Sequence, residues 1–248
     1  MLTFRKIFNF YIQSSIHVGI AVFCLVQLSV QQWSSYSFLV LFGTIVGYNF
    51  LKYSEWFLST PFFRIKYIGI LGVTLISALG FFWFLLQQNT TVQLHILFAF
   101  GLVVLYPFIR KIGWLKPFYV SFVVSYITLF IPLKSDVDVI GLFVQRFLLL
   151  SIVMIPFEIL DISKDAVAMK TLPHCFGIAR TKQIGYVLVG LFLTISIFLL
   201  NNIYFFAFAA LSSLIAIYFS TEKRSWYYTS FWVESLPIFW LLVLLFFK

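Results

Sequence analysis

Three carboxylates, Glu158, Asp161 and Asp165, stand close together in a chain that has only eight acidic residues in 248. On a helix turning about 100° per residue they fall within roughly 60° of one another. Three carboxylates on one face repel unless a cation sits among them. Mg²⁺ is the natural candidate, because it takes oxygen ligands and commonly shares them with substrate phosphates. Lys164, Lys170 and Arg180 follow at once, and point charges there would hold outer phosphate oxygens. The same residues also suit a solvated helix end with ordinary loop charges, and acidic spacing alone does not choose between the two.

The elements that must position these groups are membrane helices. Hydrophobic residues make up 62% of the chain and charged ones 10%, against about a quarter charged in soluble domains. Apolar runs repeatedly reach the roughly 20 residues a span needs, and no polar stretch exceeds an ordinary loop. The expectation is an all-α, polytopic membrane bundle forming one domain over 1–248. Nine spans are predicted, at 8–30, 36–57, 66–87, 92–109, 117–133, 140–160, 184–200, 203–220 and 229–247. The first carries Gln13, Ser14, Ser15 and His17 and has no small-residue cleavage site, so it reads as a retained helix. Cys24 and Cys175 lie in an apolar run and a basic loop, which argues against a disulfide framework.

The net charge of +9 does not call for nucleic acid. Of the 17 Lys and Arg residues, all but Lys134, Arg146 and Lys248 fall on the side that holds the N-terminus. The positive-inside rule puts that side, with the Glu158–Gly177 stretch, in the cytoplasm. Within the spans, Asn9, Gln13 and His17 share one stripe, and Ser121, Ser125 and Thr128 share another that suits close helix packing. Arg146 is expected to snorkel outward or pair with Asp136 or Asp138. Glu234 is expected to be protonated or paired, with a cavity-lining role as the alternative.

Asp161-Ile-Ser-Lys-Asp165 followed by Lys170-Thr171-Leu172-Pro173 and Gly177 resembles the second Asp-rich motif and following loop of the UbiA superfamily of intramembrane prenyltransferases. Tyr106-Pro107 with Arg110 and Lys111 is similar to that family's segment after its fourth helix. The resemblance, with the span count, covers nearly the whole chain. It implies a Mg²⁺-dependent enzyme in which Asp161 and Asp165 are catalytic and hold metal, joined by Glu158. A prenyl diphosphate would be bound by Asn49, Lys52, Lys164, Lys170 and Arg180. The partners implied are that diphosphate, a lipophilic acceptor that is often aromatic, and membrane lipid, with no nucleic acid and no obligate protein partner. The expected location is a bacterial inner (cytoplasmic) membrane.

The chain departs from the family pattern at the first Asp-rich motif. Asn49 is kept, but Phe50, Tyr53 and Phe57 stand where carboxylates belong, and Met169 replaces a third carboxylate of the second motif. Two readings are open. In one, Lys52 does part of a missing metal's electrostatic work beside a single Mg²⁺. In the other, the chain binds isoprenoid or lipid without turnover, since a fold does not fix an activity. A transporter would spread ionisable residues across the midplane, whereas these carboxylates gather at one end.

Overall fold

The computed structural model describes residues 2–59, 65–133, 139–163, 169–199 and 202–246, with backbone alone at 2–3, 54–59 and 65–66. Every regular element among them is helical. In order they are α1 (Leu2–Gln13), α2 (Ile16–Val30), α3 (Ser35–Ser59), α4 (Ile65–Leu86), α5 (Thr90–Ile109), α6 (Lys116–Ser125), α7 (Ile131–Leu133), α8 (Val139–Leu160), α9 (Leu172–Phe198), α10 (Ile203–Phe219) and α11 (Leu236–Phe246). Tight 3₁₀ turns at Gly113–Leu115 and Asp161–Ser163 precede α6 and end α8, and wide π turns occupy Tyr126–Phe130 and Tyr228–Val233.

Among the described residues, six helical stretches are long and apolar enough to cross a membrane, and the bent pair of α1 and α2 makes a seventh if taken as one span. The predicted count of nine exceeds this by two. α3 is not among the six, and α10 has only 17 residues. In the most apolar windows of α4 and α5 only 11% is buried within the chain. A surface this apolar over whole helices belongs against lipid, not water.

α2 and α8 occupy the middle. α2 packs on α3 and α11, while α8 packs on α6, α9 and α10. One buried cluster joins α8 to α11 around Ile152, Ile155, Phe192, Ile217 and Trp240; a second joins α2, α3 and α5 through Val26, Leu39 and Ile96. Lipid is as apolar as these side chains, so close packing is what holds the helices together. Between α3 and α4 it is reciprocal: the ring of Phe42 lies over Gly80 and that of Phe81 over Gly43.

Three features differ from the sequence expectation. The first span is not one helix over 8–30 but two, bent by 55°. The break falls at Ser14–Ser15, where Ser15 takes a left-handed backbone (φ 60°). The seventh helix begins at Leu172, well before the expected 184. Thr171 holds the extended N-cap position and Pro173 sits in its first turn, where proline's fixed φ and missing N–H suit a helix start. Arg146 does not snorkel. It is buried and donates from Nη1 to the Leu25 carbonyl at 2.8 Å and from Nη2 to Ser29 Oγ at 3.1 Å. Both partners lie near the C-terminal end of α2, the end of a helix whose dipole favours a cation. Asp136 and Asp138, its other expected partners, lie outside the described residues.

Candidate functional site

The end of the bundle that collects the basic loops also collects the motif residues. α8 continues through Pro156 and tightens into the turn Asp161–Ser163, with Asp161 half-buried. The next described residue is Met169. Thr171 is buried at the start of α9 with its hydroxyl bonded to His174 Nδ1 at 2.8 Å, and Leu172 inserts into the main core cluster. Gly177 then breaks the helix with φ 78° and ψ 162°, a conformation open essentially to glycine alone. Each residue of Lys170-Thr-Leu-Pro and Gly177 beyond the lysine thus has a local structural task. Lys170 itself holds a left-handed backbone (φ 49°) and is exposed, as is Arg180 one turn of α9 beyond the break.

The position of this loop is set by Gly113, just after Arg110 and Lys111. A Cβ on Gly113 would stand 2.0 Å from the Met169 carbonyl oxygen, 2.7 Å from the Thr171 nitrogen and 2.9 Å from the Lys170 carbonyl carbon. Backbone lies directly on backbone there. Lys170 is therefore held beside the basic loop after α5, so two segments 60 residues apart in number (110 and 170) meet at one surface.

Glu158 does not face outward with Asp161. It is fully buried and pairs with Lys116 Nζ at 3.1 Å, joining α8 to the first residue of α6. Glu158 is thereby held apart from the half-buried Asp161. Glu158 lies in this pair, Asp161 at the end of α8, and Asp165 outside the described residues together with Lys164. Among the described residues no group of three His, Cys, Asp or Glu side chains could hold a metal ion.

A second polar cluster forms deeper in the same half, and it was not assembled from the sequence. The π turn Tyr228–Val233 leads into Glu234, whose N–H reaches back to the Thr229 carbonyl at 3.1 Å. The Phe231 carbonyl of that turn accepts from His17 Nε2 at 3.1 Å and from Ser235 Oγ, and His17 Nδ1 accepts from the Tyr11 hydroxyl at 2.8 Å. The Phe231 carbonyl can only accept, so Nε2 carries a proton. These bonds also lock the turn that presents Glu234. Its carboxylate interacts electrostatically with Lys52 of α3, and Tyr48 and Tyr11 are within its field. π turns recur at functional sites because the extra residue re-aims the side chains after it.

The chain matches no protein-family model, curated protein or solved structure. Function therefore rests on the geometry of the residues themselves.

Asn49, expected to touch a diphosphate, is buried and bonded on all sides. Its Oδ1 accepts from Ser15 Oγ at 2.8 Å, and its Nδ2 donates to the Ser14 carbonyl at 3.0 Å and to Thr74 Oγ1 at 2.9 Å. It clamps the α1–α2 break to α3 and α4, and Tyr53 adds a bond to the Gln13 carbonyl at 2.8 Å. Lys52, one turn of α3 further on, is the exposed cation of this stretch.

Proposed function

We propose that the chain is an intramembrane prenyltransferase of the UbiA kind, with nine crossings and its basic end in the cytoplasm of a bacterial inner membrane. One observation carries the reading: the segments Tyr106–Lys111 and Lys170–Gly177, which separately resemble that family, are brought together through Gly113. In this reading the C–O bond of an allylic prenyl diphosphate ionises at the basic end. The departing diphosphate keeps the electron pair and is stabilised by Lys170, Arg180 and Lys164. An apolar, aromatic-lined cavity would shield the allylic cation from water until a lipophilic acceptor attacks it and loses a proton.

Asp161 and Asp165 are the proposed catalytic carboxylates and magnesium ligands. Glu158 is withdrawn from that set in the proposal, because its partner Lys116 supplies the positive charge it needs. The described residues alone do not complete a metal site. Diphosphate release from farnesyl diphosphate by the purified protein, with Mg²⁺ and with chelator, tests this reading. The expected result is release that falls at least about tenfold in Asp161→Asn. Unchanged release in that variant, or after chelation, would remove the metal site from the proposal.

A binding protein without turnover is the second reading, favoured by the Lys52–Glu234 interaction: a cation meant for a diphosphate already has a carboxylate beside it. The two substitutions are expected to act with opposite sign on farnesyl diphosphate affinity. Lys52→Gln should weaken binding roughly fivefold and Glu234→Gln strengthen it roughly fivefold, the scale of about 1 kcal/mol for a partly exposed charge pair. Calorimetric titration of both variants checks this. Changes of the same sign would show that Lys52 does not face the diphosphate. Binding with these opposite shifts but no release from the unmodified protein selects the non-catalytic reading.

A further inference from the structure

At the end of the bundle opposite the basic loops, a cavity of about 290 Å³ opens between α2, α8, α9 and α10. Its polar wall comprises Ser29, Gln31, Gln145, Arg146 and Asn202, and its apolar wall includes Phe205 and Phe206. Arg146 is 9% exposed, and burying a guanidinium in a membrane protein calls for a compensating charge. No carboxylate reaches it among the described residues. Its bonds to Leu25 and Ser29 engage Nη1 and Nη2, while a guanidinium carries five N–H donors in a planar fork. Gln145 beside it is fixed by its Nε2 bond to Ser196 Oγ at 2.8 Å.

A second feature of the cavity has the same sign. Asn202 is the N-cap of α10, a 17-residue helix, and its side chain accepts from the Phe205 nitrogen. The positive end of that helix dipole therefore borders the same space. A buried cation and a helix N-terminus converging on one cavity favour a negatively charged oxygen group, and the adjoining phenylalanines favour an apolar tail. The volume sits at the lower end of small-molecule sites, about 300 Å³. It suits a headgroup and the first carbons behind it.

We infer that this cavity is a binding site for an oxyanion, a carboxylate or phosphate at the head of an amphiphile, held by Arg146 at the N-terminus of α10. The site is remote from the motif residues and does not depend on the proposed prenyl transfer.

The test uses the full chain, purified and delipidated in a neutral detergent, titrated calorimetrically with dodecanoate, dodecyl phosphate, dodecanol and inorganic phosphate. Both anionic amphiphiles are expected to bind at least about tenfold more tightly than the alcohol, the scale of a charge-assisted hydrogen bond. In Arg146→Gln that preference should vanish, and Arg146→Lys should keep part of it. Leu142→Trp narrows the cavity without touching the Arg146 bonds to α2 and should weaken all three amphiphiles, which keeps the test meaningful if Arg146→Gln does not fold. Inorganic phosphate binding as tightly as the amphiphiles supports the oxyanion site and assigns it to a free anion; weaker binding assigns it to a lipid head. Equal binding of anion and alcohol in the unmodified protein, or a preference unchanged in Arg146→Gln, or amphiphile binding unchanged in Leu142→Trp, overturns the inference.

Discussion

Gly113→Ala is expected to lower the thermal stability of the purified protein and to loosen the Met169–Thr171 loop. The added methyl would lie 2.0 Å from a carbonyl oxygen and under 3 Å from two further backbone atoms. No flexible side chain stands there to swing aside, so the loop or the 3₁₀ turn must move as a unit. Overpacking of this kind costs about 1–3 kcal/mol and occasionally more, and here it also disturbs the Thr171–His174 bond and the seating of Leu172. Trypsin cleavage after Lys170, which already sits in a left-handed conformation, should become several-fold faster in proportion to the open population. Gly190→Ala is the control. A Cβ there meets nothing within 4 Å in the middle of α9, so helix propensity predicts no loss, or a gain of about 0.5–1 kcal/mol. Equal behaviour of the two variants would mean that the loop does not depend on its contact with Gly113. If prenyl transfer is the function, Gly113→Ala should also impair diphosphate release, because Lys170 would lose its place beside Arg110 and Lys111.

The legibility of each feature in the sequence depends on how local its determinants are. A bilayer forces backbone hydrogen bonds to close within helices, so composition alone settles an all-α chain with several membrane-length helices. The Lys170–Gly177 motif was legible only as a resemblance: the helix was expected at 184, although a first-turn proline and a glycine at a positive φ act within a few residues. The break at Ser14–Ser15 was not. No proline or glycine marks it, and it depends on Asn49 and Tyr53 of α3 and Thr74 of α4. The stripe of Asn9, Gln13 and His17 was visible, but its partners were not: Tyr227 donates to Asn9, Tyr53 reaches the Gln13 carbonyl, and Phe231 accepts from His17.

Charge pairs were legible only in part, for the same reason. Glu234 carried the signal of an ionisable residue inside a span, and a partner was expected, but choosing Lys52 required knowing that the π turn aims it toward α3. Arg146 carried the same signal. Among the described residues its partners are the Leu25 carbonyl and the Ser29 hydroxyl near the end of α2, which engage two of its nitrogens but bring no opposite charge. Glu158 misled because its spacing from Asp161 is right for a shared helical face. That face turns gradually into the interior, and one turn separates a half-buried Asp161 from a fully buried Glu158.

Glu158→Ala is expected to destabilise the protein by about 3–5 kcal/mol, because it leaves the Lys116 ammonium buried without its carboxylate. Both side chains are nearly inaccessible, at 9% and 0% exposure, and 3.1 Å apart, so water cannot replace the lost charge. Lys116 also opens α6, where the positive end of the helix dipole disfavours a cation; Glu158 offsets that burden as well. Lys116→Met alone should cost a similar amount by stranding the carboxylate. The combination Lys116→Met with Glu158→Leu should recover most of the loss, since an apolar pair of similar volume removes both desolvation penalties. Unfolding of the two single variants and the double variant in one detergent gives the coupling directly. The same set separates a structural carboxylate from a metal ligand. A packing role predicts that the double variant regains both fold and any magnesium-dependent diphosphate release, whereas a ligand role predicts a folded double variant with release still lost. The burial of both oxygens against α6 makes the first outcome the expected one, and it leaves Asp161 and Asp165 to carry the chemistry at the end of α8.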